Sequence, residues 1–321
     1  MKLATLLLAI TAVAIVMPAA LAQTWPAKPL RIVVPFPPGD TADILARTLG
    51  PRLTERLGQP VIVENRAGAS GQIGLEAAAR ATADGYTFAI GQGSNMAVAP
   101  HTFRKLPYDP LKDFTPVALI ATNYAAILVH PSTPFKTVKD LIAYARANPG
   151  KLSMGTNGEG TFSHLSIEDL GLQASFKYLH VPYKGTGQII TELLAGQIDG
   201  AIGGFTPFAP HVKAGKMRLL ALTNPTRVAQ FREVPVAAET VPGFEARGWF
   251  GLVGPAGVPR EIVVTLNKAV NDALGLADVR EALTASGLLI VQQPPEYFAE
   301  QIRRDFNRYG KLAREIRFQP Q

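Results

Sequence analysis

The sequence predicts an α/β protein built from two lobes with a cleft between them. Short β-branched runs alternate with helical patterns, and the alternation starts again after a long apolar stretch at residues 116–130. A further apolar run at residues 245–253 looks like a strand that returns to the first lobe. Alternation of this kind is typical of a parallel sheet with helices on both faces. Two lobes joined by two crossings indicate a hinged receptor that closes on a ligand.

The first 22 residues have the pattern of a secretory signal peptide. Lys2 precedes an apolar run over residues 6–17, and Ala20-Leu21-Ala22 matches the small-residue pattern of a cleavage site. Pro18 breaks the run, which is shorter than the ~20 residues that a membrane span needs. We expect cleavage after Ala22 and find no second apolar run long enough to span a membrane. The mature chain is therefore expected to be exported and soluble, which in a bacterium means the periplasm.

Composition favours a packed globular protein and argues against nucleic-acid binding. The chain has 321 residues, 47% of them hydrophobic and 18% charged, which is enough for two domains of ~150 residues each. The net charge is +7, but the basic residues are scattered and form no block that could follow a phosphate backbone. A basic surface would also attract small anions. Cysteine is absent, which excludes disulfides, cysteine metal sites and lipid attachment through cysteine.

The stretch from Leu30 to Asp43 is the predicted centre of the site. Residues 30–34 have the composition of a buried strand, and three prolines and Gly39 then end it. Asp40, Thr41 and Asp43 follow, and all three are favourable at a helix start. The order strand, loop and helix N-terminus is where α/β proteins bind anions, because first-turn amides have no intrahelical partner.

The remaining elements follow from composition and periodicity. Further strands are predicted at residues 60–65, 86–90, 152–156, 176–181, 200–203 and 218–222. Helices are predicted at residues 73–80, 137–147, 161–171, 188–195, 208–213, 260–275 and 295–317. Gly50-Pro51 is expected to kink the first helix or to split it in two.

The apolar stretch at residues 116–130 is interrupted only by Asn123-Tyr124. It fits a tight hairpin or a strand that crosses between lobes, and we favour the crossing because a new strand and helix alternation follows it. The predicted boundaries are therefore residues 1–22 for the signal peptide, 23–122 with 248–321 for a discontinuous domain 1, and 123–247 for domain 2.

The sequence gives no positive evidence for an enzyme. Residues 91–95 stand at a strand end but have the wrong spacing for the Gly-x-Ser-x-Gly elbow of a hydrolase. No phosphate-binding Gly-x-x-x-x-Gly-Lys-Ser/Thr motif is present, and residues 158–160 and 185–187 lack the third glycine of a dinucleotide fingerprint. None of the five histidines forms a metal-spaced pair with another. A catalytic carboxylate pair stays open, since nothing singles one out.

A series of motifs along the mature chain resembles the Bug-type substrate-binding receptors of tripartite tricarboxylate transporters. The matching stretches, in order, are residues 25–39, 63–71, 84–87, 106–110, 113–114, 164–165, 180–185, 195–197 and 254–257. Any one of these motifs is unspecific, but all of them in family order are specific.

This resemblance implies a type II periplasmic-binding-protein fold with the ligand in the interdomain cleft. Family ligands are mostly small carboxylates, including dicarboxylic and tricarboxylic acids, acidic amino acids and aromatic acids. The implied partners are such a ligand, which could also be a heterocyclic acid, and the subunits of an inner-membrane transporter to which the receptor delivers it. No cofactor or metal is implied, and nothing demands more than a monomer.

The resemblance also implies which residues bind the ligand. Domain 1 would use the loop and helix start after the first strand, namely Phe36, Pro37, Pro38, Gly39, Asp40, Thr41 and Asp43. Domain 2 would use the loops that contain Thr156, Asn157, Gly158, Gly160, Thr161, Tyr183, Gly185 and Gly204. Ser94 and Asn95 follow a strand end, so they fit ligand contact or the capping of a short helix.

Asp40 departs from the family pattern, which usually has a glycine at this position. It fits either a helix N-cap or a cleft residue that repels a ligand carboxylate and favours an ammonium, an amide or a heterocyclic N–H. Tyr183 likewise fits packing or a hydrogen bond to the ligand. A structural role is favoured for the residues that follow: Asn65, Arg66, His164, Trp249 and Phe250.

Two other functions remain open at this stage. A sensing receptor would present its loaded form to a signalling protein, and the sequence does not separate this role from transport. A periplasmic hydrolase could use the same two-lobed scaffold, and stoichiometric binding without turnover would argue against it.

Overall fold

The computed structural model describes residues 25–320, so the predicted signal peptide and its cleavage site lie outside the described residues. The strands are β1 (Leu30–Val34), β2 (Val61–Asn65), β3 (Thr87–Gln92), β4 (Phe114–Asn123), β5 (Ala125–Val129), β6 (Ser153–Thr156), β7 (Leu179–Pro182), β8 (Gly200–Gly204), β9 (Arg218–Leu222), β10 (Trp249–Pro255) and β11 (Leu288–Ile290). The helices are α1 (Thr41–Leu57), α2 (Gln72–Ala79), α3 (Ala99–Thr102), α4 (Val138–Ala147), α5 (Phe162–Gln173), α6 (Thr186–Leu194), α7 (Ala209–Lys213), α8 (Arg260–Leu274), α9 (Ala277–Ala285) and α10 (Pro295–Glu315).

Two sheets divide these elements into two lobes. The first sheet has the order β11-β4-β10-β3-β1-β2 and, with α1–α3 and α8–α10, makes up lobe 1. The second sheet has the order β7-β6-β8-β5-β9 and, with α4–α7, makes up lobe 2. Because β4 and β5 lie in different sheets, the stretch at residues 116–130 is a crossing and not a hairpin. Strand β10 brings the chain back to lobe 1, as expected.

The sheets are mixed, so the parallel pairing that the alternation indicated holds for only part of each sheet. Strand β1 pairs in parallel with β2 and β3, and β6 pairs in parallel with β7 and β8. Strand β10 runs antiparallel to β3 and β4, and β5 runs antiparallel to β8 and β9. The crossings are the reason. Strands β10 and β5 enter their lobes from the cleft, so they run opposite to neighbours such as β3 and β8, which end at the cleft. The carboxyl ends of the parallel strands therefore face the cleft, where α/β sheets bind ligands.

Each sheet is covered on both faces. In lobe 1, one face packs on α1 and α8 through residues such as Leu45 and Leu266, and the other packs on α2 and α10 through Leu75 and Phe298. In lobe 2 the corresponding clusters lie against α4 and α5 on one face and α6 on the other. Burial on both faces accounts for the continuous apolar runs in the strands.

Helix α1 runs from Thr41 to Leu57 without division, so of the two outcomes expected at Gly50-Pro51, a kink or a split, the split did not occur. Pro51 is exposed, whereas Leu45, Leu49 and Leu53 are buried. Packing of this leucine stripe holds the helix together on both sides of the proline, where local propensity alone would interrupt it. Within residues 25–320, no helix combines the length and the apolar character required to cross a bilayer.

Candidate ligand-binding site

A cavity of about 280 Å³ lies between the two lobes. Both lobes line it, and among the lining residues are five that the sequence predicted, namely Asp40, Thr41, Ser94, Asn157 and Gly204. Asp40 and Thr41 stand at the start of α1 and Ser94 follows β3, while Asn157 follows β6 and Gly204 ends β8. The cavity is thus built from strand ends and helix starts on both sides of the cleft.

Other lining residues were not predicted as ligand contacts. They are Gln92, Gly93, Asn123, Phe162, Thr186, Thr206, Pro207, Gly248, Trp249, Phe250, Ser286 and Leu288. The sequence could have identified several of them, because Gln92 and Gly93 lie at the end of a predicted strand and Asn123 lies at the predicted crossing. Ser286 and Leu288 carried no usable signal, since the tail was predicted only as helices and the turn between α9 and β11 was not foreseen.

A larger cavity of about 760 Å³ lies away from the cleft, between α4, α5 and the end of α10. Its walls include Arg146, Glu168, Lys177 and Tyr178, and none of the predicted ligand residues is among them. Volume alone does not identify a ligand site. The interlobe cavity is lined by strand ends from both sheets and lies at the boundary between two lobes, where ligand sites preferentially occur. We therefore take the interlobe cavity as the candidate site.

Asp40 is both the N-cap of α1 and a wall of the cavity. Its Oδ1 accepts a hydrogen bond of 2.9 Å from the amide of Ala42, which satisfies one first-turn donor. Burial raises the pKa of Asp40 above its usual value, against the lowering effect of the Ala42 hydrogen bond, and the nearby charge of Asp43 raises it further. The two roles that the sequence left open are therefore compatible in one side chain.

Asp43 holds the loop that precedes α1 and does not line the cavity. It is 3% exposed, and its carboxylate accepts hydrogen bonds from the amide of Gly39, from Arg47 and from Asn65. Burial acts to raise the pKa of Asp43, but these hydrogen bonds and the charge of Arg47 outweigh it, so the pKa lies below its usual value. Asn65 also donates to the carbonyl of Phe36, which ties β2 to the loop.

The other predicted residues of lobe 1 lie around the cavity without lining it. The ring of Phe36 packs against the lobe 1 core, while Pro37, Pro38 and Gly39 are exposed. Asn95 is 1% exposed and accepts a hydrogen bond of 2.9 Å from the amide of Gln92. The side-chain amide nitrogen of Asn95 has no hydrogen-bond partner among residues 25–320.

A pair of stacked histidines supports the loop after β6. The rings of His164 and His180 lie 3.9 Å apart and nearly parallel, although 16 positions separate them in the chain. The amide of Gly160 donates to Nδ1 of His164 at 3.0 Å, and Thr156 Oγ1 lies 2.6 Å from Nε2 of His180. Burial, together with the neighbouring His164, lowers the pKa of His180 to about 4. His164 is buried and contacts this loop, which supports the structural role that the sequence favoured.

The loop itself is closed by hydroxyl groups. Thr161 caps α5 by accepting from the amide of His164 and donates to the carbonyl of Gly158 at 2.7 Å. The amide of Asn157 donates to Ser163 Oγ, so the exposed side chain of Asn157 is the part of the loop that reaches the cavity. Gly158, Gly160 and Thr161 shape the loop and do not line the cavity.

Helix α6 starts at the cavity with no side-chain cap. Gly185 precedes it, no side chain in the described part of the chain accepts from its first-turn amides, and Thr186 lines the cavity. The side-chain amide of Asn157 donates to Thr186 Oγ1 at 3.3 Å. Tyr183 packs on the lobe 2 cluster that contains Ile189 and does not line the cavity. The open first turn of α6 therefore offers amide donors to an anionic group.

The two crossings contact each other at the base of the cleft. The amide of Gly248 donates to Asn123 Oδ1 at 2.8 Å, and the amide of Asn123 donates to the carbonyl of Gly248 at 3.1 Å. Both residues line the cavity. A pair of adjacent, hydrogen-bonded connections is the arrangement through which two lobes can rotate.

A second contact between the lobes lies beside the crossings. Thr206 of lobe 2 packs on the turn Ser286–Gly287 of lobe 1, and its hydroxyl donates to the Ser286 carbonyl at 3.4 Å. Gly287 has φ +74°, and a Cβ at this position would collide with Thr206 Oγ1 and lie 3.1 Å from Thr206 Cβ. The absence of a side chain at Gly287 therefore permits this approach of the lobes.

Gly287→Ala is expected to destabilise the protein more than the matched change Gly215→Ala. Gly215 has φ +69° with nothing within 4 Å of its would-be Cβ, so it shares the backbone strain of roughly 1 kcal/mol and lacks the collision. The collision should add roughly 1 kcal/mol at Gly287. Urea unfolding measures the free energy of unfolding of both variants. Adding Thr206→Ala to Gly287→Ala should recover part of the stability that the collision removes. Equal losses in the two variants would show that the lobes do not need this contact.

The fold and the cavity are those of a two-lobed binding protein with a cavity between its lobes. The model of the TctC family, described as tripartite tricarboxylate transporter family receptor, matches residues 45–318, and the chain belongs to this family. BugT of Bordetella pertussis strain Tohama I is 35% identical over 296 residues, which cover 92% of this chain and 91% of BugT. These findings confirm the resemblance seen in the sequence.

Solved structures agree in fold and in class. The structure titled R. palustris Rpa4515 with adipate has a TM-score of 0.79 and 35% identity and covers 92% of this chain and 100% of that one. MatC (Rpa3494) from Rhodopseudomonas palustris with bound malate has a TM-score of 0.74 and 32% identity and covers 89% and 99%. The predicted fold of a type II periplasmic binding protein is confirmed. The family consists of substrate-binding receptors.

Proposed function

We propose that this protein is an exported receptor that closes its two lobes over a small organic carboxylate and delivers it to a tripartite tricarboxylate-type transporter in the inner membrane. The observation that carries the proposal is the cavity of about 280 Å³ lined from both lobes. Support comes from two relatives of the same fold, whose structures hold adipate and malate. Both of these ligands are small dicarboxylates.

The proposed ligand contacts are the cavity residues on both walls. Asp40, Thr41 and Ser94 would contact the ligand from lobe 1, and Asn157 and Gly204 from lobe 2. A carboxylate would accept from the open first turn of α6, where the helix dipole adds partial positive charge. The other predicted residues would act by holding these in place, as Asp43 does for the α1 loop and Thr161 for the loop after β6.

We propose that the lobes rotate about the two crossings when a ligand binds. The proposed domains are residues 23–122 with 248–321 and residues 123–247, and the change of sheet between β4 and β5 supports this division. The contact of Thr206 with Ser286, which joins the lobes beside the crossings, would then break as the lobes rotate apart. The proposed location is the periplasm, after cleavage of the signal peptide.

A thermal-shift screen of the chain from Gln23 onward tests the proposal. The panel holds dicarboxylates of two to four methylenes, malate, and carboxylates that carry an amino or amide group. A ligand at about 100 times its dissociation constant should stabilise the protein by ~2.7 kcal/mol, which raises the melting temperature measurably. If no carboxylate in the panel raises the melting temperature, the proposed function is wrong.

Two variants locate the binding site. Ser94→Leu fills part of the interlobe cavity and should abolish the stabilisation by ligand. Lys177→Leu changes an exposed wall of the larger cavity at α4 and α5 and should leave the stabilisation by ligand unchanged. The opposite pattern would place the ligand in the larger cavity. Because both variants place leucine on a surface, each serves as the control for the other.

A further inference from the structure

We infer that Asp40 selects ligands whose lobe 1 end is a positive charge or a hydrogen-bond donor and whose lobe 2 end is a carboxylate. This inference rests on the proposed function and names the ligand class of the same cavity. The preferred ligand is then an amino-bearing or amide-bearing carboxylate, and a plain dicarboxylate binds less well.

The first argument is the charge of the cavity. Among the described residues that line it, Asp40 is the only one with an ionisable side chain, so no lysine, arginine or histidine stands there to neutralise a ligand carboxylate. The nearby Arg47 is engaged by Asp43 at 2.9 Å and by Asn65 at 2.8 Å. A ligand carboxylate placed beside Asp40 would therefore meet an uncompensated negative charge.

The second argument is the hydrogen bonding of Asp40. The cap of α1 uses Oδ1, through the amide of Ala42, and within residues 25–320 no donor to Oδ2 is found. One carboxylate oxygen thus serves the helix while the other has acceptor capacity left. Burial without a cationic partner raises the pKa of this carboxyl group, and an ammonium or N–H donor from the ligand would offset that cost.

The third argument is the difference between the two walls. On lobe 1, the first turn of α1 already has a carboxylate cap in Asp40 and a second acid in Asp43. On lobe 2, the first turn of α6 has no side-chain cap and opens on the cavity at Thr186. An acidic wall opposite a wall of amide donors is complementary to a molecule that carries opposite groups at its two ends.

Matched ligand series test this preference. Each series keeps the number of methylenes and changes one end: succinate, succinamate and 3-aminopropanoate; glutarate, glutaramate and 4-aminobutanoate; adipate, adipamate and 5-aminopentanoate. Isothermal titration calorimetry on the chain from Gln23 onward gives each affinity. Within the series that fits the cavity best, the amino member should bind at least about tenfold more tightly than the dicarboxylate, with the amide between them. A dicarboxylate that binds most tightly overturns the inference and leaves the proposed function standing.

Asp40→Asn then assigns the preference to this side chain. Asparagine remains a good N-cap, so the variant removes the charge while keeping the helix start. The advantage of the amino member over the dicarboxylate should fall by about tenfold. The control is Asp140→Asn, which removes an acid from the first turn of α4, outside the cavity, and should leave the ranking unchanged.

The outcomes separate the two proposals. If Asp40→Asn changes both affinities equally, or if Asp140→Asn changes the ranking as much, Asp40 does not select the ligand. If no member of any series binds the unmodified protein, and the wider carboxylate screen is also negative, the proposed function fails and the inference fails with it.

Discussion

Replacing Trp249 with alanine should lower the free energy of unfolding by about 3–5 kcal/mol. Trp249 is 1% exposed, and its ring meets that of Phe298 edge to face with 5.3 Å between centroids. Its Nε1 donates to Asp305 Oδ2 at 2.8 Å, and Asp305 is itself buried. The variant would therefore leave a cavity and remove a donor from a buried carboxylate. Urea unfolding, followed by circular dichroism, measures the loss.

Two further variants separate these contributions. Trp249→Phe keeps an aromatic ring but removes the N–H, so it should cost about 1–3 kcal/mol. Tyr297→Ala, on an exposed position of α10, should change the stability by less than about 0.5 kcal/mol. Because Trp249 also lines the interlobe cavity, the alanine variant should lose ligand binding as well. A loss below 1 kcal/mol would mean that β10 and α10 do not depend on this contact.

Arg308→Met should cost about 3 kcal/mol, because it leaves a buried carboxylate without its charged partner. Arg308 lies on α10 of lobe 1 and donates to Asp169 of α5 in lobe 2 at 2.7 Å. It also donates to the carbonyl of Glu245, just before the chain returns to lobe 1. Asp169 is 8% exposed and, among residues 25–320, would keep only the hydrogen bond from Gln173. This ion pair joins the two lobes on the side of α10.

The same helix provides the control. Arg303→Met removes an exposed ion pair with Glu300, whose atoms lie 2.7 Å apart, and should cost less than about 1 kcal/mol. In the double variant Arg308→Met with Asp169→Asn, part of the loss should return because the buried charge is gone. Equal losses for Arg303→Met and Arg308→Met would show that Arg308 acts as an ordinary surface residue.

Local patterns made most of the secondary structure predictable. The run from Leu30 to Val34, the prolines after it and the acids at 40 and 43 identified β1, its loop and the start of α1. Motif order along the chain identified the family, which the family model and the relatives confirmed. The antiparallel pairing of β10 and β5 was not predicted, because apolar runs look alike in parallel and antiparallel strands.

The candidate site was predictable where it consists of strand ends, as at Ser94 and Gly204. Thr156 and Asn95 also follow or end strands, but the structure buries them in hydrogen bonds to His180 and Gln92. The sequence pattern identifies the edge of the sheet and does not show which side chain turns inward. The assignment of ligand contacts therefore stays a prediction until binding is measured.

Composition, periodicity and capping residues favoured two α/β lobes, a crossing within residues 116–130 and an N-cap at Asp40, since each of these signals depends on neighbours a few positions apart. Three contacts join distant positions. Arg308 pairs with Asp169 across 139 positions, and Trp249 pairs with Asp305 across 56. Thr206 approaches Gly287 across 81 positions, from 206 to 287. Such contacts depend on sheet register and on how the lobes pack, and no local pattern encodes them. For the same reason, only the folded chain shows that Asp40 faces a cavity with no basic residue among its described walls.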